Sequence, residues 1–117
     1  MAKKSQIPNN VRQVLFRSIL DYKSAYSINP EVSNERIQFF GMILEEDTIN
    51  LNLASLLFSH FGQLYELSIY QLQNGCLNRK AIKSLIKDCK VILDFLWLHF
   101  EIKGEPENHI ITERKAG

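Results

Sequence analysis

Imidazole is the side chain best suited to moving protons or binding metal near neutral pH, and this chain carries three: His60, His99 and His109. Their spacing excludes the familiar metal helices. No His-Glu-x-x-His pair and no Glu-x-x-His repeat occurs, so zinc-protease and di-iron bundle readings lack their ligands. No arginine stands four to six residues ahead of any histidine, which removes the Arg–His pairing of helical nucleases. His60 and His99 fall on or beside apolar helix faces and read as hydrogen-bonded core or boundary residues. Ser59 and His60 are neighbours in sequence, and on a helix neighbours diverge, so they form no nucleophile–base pair. Glu45, Glu46 and Asp47 are the only clustered carboxylates that could share acid–base work, and they read as a solvated helix junction. Cys76 and Cys89 are thirteen positions apart, which matches no zinc or redox spacing. They read as free thiols of a reducing compartment. No glycine-rich phosphate loop is present. The expectation is a chain with no catalytic residue, no metal and no cofactor.

Two other patterns point to binding rather than catalysis. Arg79, Lys80, Lys83, Lys87 and Lys90 crowd the start of one helix. The four lysines step by three, four and three, which puts them on one face, opposite the apolar stripe. Cations in a first turn oppose the helix dipole, so their use is sought outside the helix: contact with an anion, above all an RNA or DNA backbone. The competing reading is a solvated face that pairs in part with Asp88 and Asp94. The second pattern is Val91 to Ile102, in which nine of twelve residues are apolar and surround the helix. Ile92, Leu93, Leu96 and Phe100 share the core face. Val91, Phe95 and Leu98 point away from it and Trp97 lies at its margin. A small bundle buries one stripe per helix, so these four are expected at a protein–protein contact.

The elements that must carry these residues follow from hydrophobic spacing. Apolar residues recur at i, i+3 and i+4 through most of the chain. Val11, Val14, Leu15, Ser18, Ile19, Tyr22 and Tyr26 place a first helix over 10–27. Asn29-Pro30-Glu31 is a helix start, with Val32, Arg36, Phe39, Phe40 and Ile43 on one face of a second helix ending near Glu46. Asp47 or Thr48 is the expected N-cap of a third helix, apolar on two adjoining faces and running to Asn74. Its small residues Ser55, Ser59 and Gly62 leave room for another helix to approach. Gly75 ends it, Asn78 caps the fourth, and the fourth extends to about Lys103. Gly104-Glu105-Pro106-Glu107-Asn108 then breaks the pattern. The expected architecture is an all-α antiparallel four-helix bundle with long central third and fourth helices. A flexible basic N-terminus (1–9), one bundle domain (10–103) and a polar C-terminal tail (104–117) make up the expected layout.

Composition sets the bounds. With 117 residues, the chain is the size of one domain. Its apolar 45% and charged 23% are globular usage rather than that of a disordered chain. The net charge of +1 supplies no global field for polyanions. Charge is nevertheless segmented: residues 1–28 hold five basic and one acidic group, residues 29–74 one basic and six acidic, and residues 75–117 eight basic and six acidic. The basic start is followed by polar residues and Pro8 rather than an apolar run, so no signal peptide is read. The longest apolar stretch is too short to span a bilayer. The sequence therefore reads as a cytoplasmic, non-enzymatic helical interaction protein. It self-associates as a homo-oligomer or docks on a protein partner as an accessory subunit, with no membrane partner. The alternative is a nucleic-acid-binding accessory protein that contacts the phosphate backbone through its basic helix face.

Overall fold

The computed structural model describes residues 5–25, 38–39, 41–43, 45–46, 48–75 and 78–114. Strand β1 (Ser5–Gln6) leads into helix α1 (Asn9–Ala25), β2 (Thr48–Ile49) into α2 (Leu51–Asn74), and α3 (Arg79–His99) into the hairpin β3 (Phe100–Glu105) and β4 (Asn108–Glu113). The start predicted for a second helix, Asn29 to Glu31, lies outside the described residues. Positions 38–39 and 41–43 are helical, and Ile43 is fully buried.

Asparagine caps set the helix starts. Asn50 accepts from the backbone N–H of Leu53 at 2.8 Å and opens α2. This cap lies two to three residues beyond the expected Asp47 or Thr48, because Thr48 and Ile49 are extended and pair with the N-terminal segment. Asn78 accepts from the N–H of Ala81 at 3.1 Å and opens α3, as the sequence predicts. The segment from Ser5 to Ile7 is tied down in turn. Gln6 registers with Thr48 and Ser5 with Ile49, Ile7 is buried, and Arg12 donates to the Glu46 carbonyl at 2.6 Å.

Helix α3 is the central element. It packs against α1 on one side and α2 on the other. Its inner face, Ile82, Leu85, Cys89, Ile92 and Leu96, is fully buried. Each such aliphatic side chain contributes about 1.5–3 kcal/mol by leaving water. Val11, Val14, Leu15 and Tyr22 meet it from α1, and Leu57, Phe58, Phe61 and Leu64 from α2.

The expected all-α four-helix bundle is overturned. The chain is mostly helical, but an antiparallel two-stranded sheet packs against the helices. Helix α3 stops at His99 rather than Lys103, and residues read as a polar tail form the second strand. Phe100 is already extended, with φ −135° and ψ 151°, and its N–H closes the helix on the Leu96 carbonyl. Arg114 returns from the far end of the hairpin to donate to the carbonyls of Trp97 (2.6 Å) and Phe100 (3.2 Å). Acceptors left open at a helix C-terminus are thereby satisfied. From there the apolar period changes from 3.6 to 2. Phe100 and Ile102 point into the core, and Glu101 and Lys103 point out. Phe100 registers with Glu113, Ile102 with Ile111 and Gly104 with His109. Gly104 carries φ +107°, and a Cβ there would lie 2.5 Å from the Asn108 carbonyl oxygen. Glycine is what the turn requires at that position.

The small-residue stripe of α2 receives this hairpin, not another helix. A Cβ on Gly62 would stand 2.5 Å from Pro106 Cγ, so the turn sits directly on the helix backbone. Ser55 Oγ is 2.7 Å from His109 Nε2, and the His109 ring meets Phe58 edge-on at 4.7 Å.

Candidate functional site

The two features singled out from the sequence both lie on α3, and the structure divides them. Arg79, Lys80, Lys83, Lys87 and Lys90 are all exposed. No carboxylate lies within ion-pair distance of them among the described residues. Arg79 donates to the Leu72 carbonyl at 3.4 Å, which leans it over the end of α2. Asp88, read as a partner for this face, turns the opposite way into the core.

In the apolar half of the helix, Val91 is at the margin of exposure, Trp97 is 46% exposed and Leu98 70% exposed. Phe95 corrects the expectation. It is 8% exposed and belongs to the buried core, with its ring 4.7 Å from that of His99. The sequence reading set Phe95 away from the core stripe, but the stripe is wide because α1 and α2 flank α3 on two sides. Trp97 is anchored at one edge by a perpendicular contact with Phe58 at 6.3 Å. Further apolar surface was not foreseen: Phe16 and Leu20, one turn apart on α1, are both more than half exposed. Their i, i+4 spacing off the core stripe was the available signal.

Between α1 and α3 lies a buried polar cluster. Arg17 of α1 holds Asp88 Oδ1 through Nε (2.9 Å) and a terminal nitrogen (2.9 Å). Asp88 is 1% exposed, while Arg17 is 58% exposed. The second oxygen of Asp88, and one oxygen of Asp21, accept from no protein donor. The two side chains face each other within hydrogen-bonding reach. Two acceptors bond only through a proton carried by one of them. Burial pushes the Asp88 carboxyl up from 3.8 to about 7; the hydrogen bond to Asp21 adds to the rise and Arg17 opposes it. The sequence held the clue, since Asp88 stands three residues from Leu85 and four from Ile92, inside the apolar face.

The remaining chemical groupings make contacts that hold elements of the fold together. Ser55, His109 and the Pro106 carbonyl (3.2 Å from His109 Nδ1) have the order of nucleophile, base and orienter. Ser55 sits within α2, where the neighbouring backbone N–H groups are committed to the helix rather than free to act as oxyanion donors. The triplet pins the hairpin to α2. His60 stacks on Phe39 at 4.0 Å. Glu45 and Glu46 are exposed, as a junction requires. Glu46 borders a groove of about 210 Å³ with Met42, Thr48, Asn52, Leu53 and Leu56, smaller than the roughly 300–1,000 Å³ of small-molecule sites. The described residues bring together no group of three or more His, Cys, Asp or Glu side chains able to hold a metal. No helix among them is long and apolar enough to cross a membrane.

Comparison with protein-family models, with curated proteins and with solved structures gave no match.

Proposed function

We propose that the protein is a non-enzymatic interaction module that self-associates, or docks as an accessory subunit, through the C-terminal half of α3. The observation that carries this reading is Leu98 standing in solvent beside a half-exposed Trp97. Apolar side chains left grouped on a surface lose water when a partner covers them, and Trp is a frequent anchor in such contacts. In this reading the protein works in the cytoplasm, where the buried Cys89 thiol stays reduced, and it needs no cofactor. The test is the mass in solution by light scattering, for the wild type and for Leu98→Glu. The variant should remain folded, because the new carboxylate sits in water, and should lose the larger species. A variant that keeps the wild-type mass and still binds any partner the wild type binds overturns the assignment of this surface.

A specific observation favours a second reading. Arg79, Lys80, Lys83, Lys87 and Lys90 form an exposed row with no carboxylate at ion-pair distance among the described residues, as contact with an RNA or DNA backbone requires. Replacing Lys80, Lys83 and Lys87 together by Glu should leave the melting temperature unchanged or slightly raised, since acidic groups suit that helix end. It should abolish binding to a mixed-sequence RNA or DNA, and wild-type binding should weaken steeply with salt. A wild type that ignores both polyanions at low salt removes the reading.

A further inference from the structure

The N-terminal half of α3 stands out from the fold as a ridge. From Arg79 to Lys90 only Ala81, Ile82, Leu85, Asp88 and Cys89 are buried. At about 100° per residue these five occupy about a third of the circumference, the arc taken by α1 and α2. Arg79, Lys80, Lys83, Lys87 and Lys90 lie on the rest and are exposed. The single carboxylate of this stretch, Asp88, is withdrawn into the core, so the outer side of the ridge carries cations without an anion among them. These cations do not form one line. Lys80 and Lys87 share a direction to within about 20°, and Arg79, Lys83 and Lys90 share another to within about 40°. The two columns diverge by about 70° and run for about 16 Å along the helix. One strand of phosphates is met by one line of charge. Two diverging columns suit two anionic walls with the helix between them. The major groove of B-form DNA has that shape, being about 12 Å wide and open to a helix between its phosphate strands. The minor groove, about 6 Å wide, is too narrow. The major groove of A-form RNA is too deep and narrow for side chains to enter. Single strands are held by stacking on aromatic rings, and residues 79–90 contain none.

We propose that the first turns of α3 enter the major groove of B-form DNA, with Lys80 and Lys87 on one phosphate strand and Arg79, Lys83 and Lys90 on the other. This rests on the nucleic-acid reading above and selects the duplex and the groove. The positive end of the helix dipole lies in the same place. Residues 79–90 contain no asparagine or glutamine to read adenine, and lysine on phosphate carries no sequence information, so the binding is independent of sequence. Asp94, exposed one turn beyond Lys90, repels phosphate and sets the limit of entry.

The experiment titrates the full chain by fluorescence anisotropy against a short mixed-sequence DNA duplex, the RNA duplex of the same sequence and the single DNA strand. The DNA duplex should bind about tenfold or more tightly than either of the others. Five phosphate contacts should make log Kd rise with log salt at a slope of about 4.5. Lys80→Ala with Lys87→Ala, and separately Lys83→Ala with Lys90→Ala, should keep the wild-type melting curve and should each lower that slope by about 2. Glucosylated cytosines, which fill the major groove, should abolish binding, and netropsin in the minor groove should leave it unchanged. If only one of the two pairs lowers the slope, the helix lies along a single strand and groove entry is overturned. Equal affinity for the RNA duplex or for the glucosylated DNA also overturns it; if replacing Lys80, Lys83 and Lys87 by Glu still abolishes that binding, the backbone contact stands without the groove. A wild type that binds none of the three nucleic acids at low salt overturns groove entry and the nucleic-acid reading together.

Discussion

Replacing Asp88 by Asn should remove most of the pH dependence of stability between about pH 4 and pH 7. The carboxyl keeps its proton in the fold up to about 7, whereas in the unfolded chain it ionises near 3.8. Across that window the folded state binds the extra proton. Stability is therefore fully present below the lower value and falls as pH rises through the upper one, by about 1.4 kcal/mol per unit. Three units give a loss of about 4 kcal/mol, large against a total of about 5–15 kcal/mol for a domain. Asparagine imitates the protonated form: its oxygen accepts from Arg17, and its amide donates to Asp21. Arg17 is more than half exposed, so losing the Asp88 charge leaves a hydrated cation rather than a buried one. The assay is urea unfolding at a series of pH values, with the slope checked for constancy. Wild-type midpoints should fall toward neutral pH. Those of Asp88→Asn should vary much less and stand above wild type at neutral pH. A wild type that gains stability from pH 4 to pH 7, or an Asn variant several kcal/mol weaker at neutral pH, refutes the shared-proton account.

Other perturbations address the hairpin seat and the core. Gly62→Ala places a methyl group 2.5 Å from Pro106 and should cost about 1–3 kcal/mol by lifting the turn, read as a lower urea midpoint. His109→Ala removes the contacts to Ser55 and Phe58 and should expose amides of β4 to exchange before those of α3. Phe95→Glu buries an unpaired charge and should unfold the protein or cost several kcal/mol; a circular dichroism melt that matches wild type contradicts its place in the core.

The helices were legible in the sequence because their signals agree with one another. The stripe from Val11 to Tyr22, the Asn78 cap and Gly75 at the end of α2 all reappear in the structure, within a few residues of the expected bounds. The hairpin was not legible, for a local reason. The apolar run through Leu96, Trp97 and Leu98 continues into Phe100 and Ile102 without a break in composition, so a change of period from 3.6 to 2 is hidden inside it. The partner strand offers only Ile110 and Ile111, adjacent residues that point to opposite faces and give no alternation of their own. What turns Gly104 to Asn108 from a break in the helical pattern into a turn is its seat on Gly62, a contact more than forty positions away in sequence. The basic row of α3 was placed correctly on an exposed face. Val91, Trp97 and Leu98 are exposed, as read, whereas Phe95 is buried, because periodicity gives an angle around a helix but not how many neighbours share it.

The central position of α3 also constrains the order in which the chain can acquire structure. Arg17 and Asp88 are 71 positions apart, and α1 buries its stripe against α3. During synthesis, the first helix therefore lacks its main packing partner among the described elements until residues 79–99 have been made. Helices α2 and α3, joined by a short connection, can meet as soon as both are made; α1 has to wait for α3 before its stripe can dock. Such late, long-range closure slows folding and leaves an apolar segment open to chaperones in the interval.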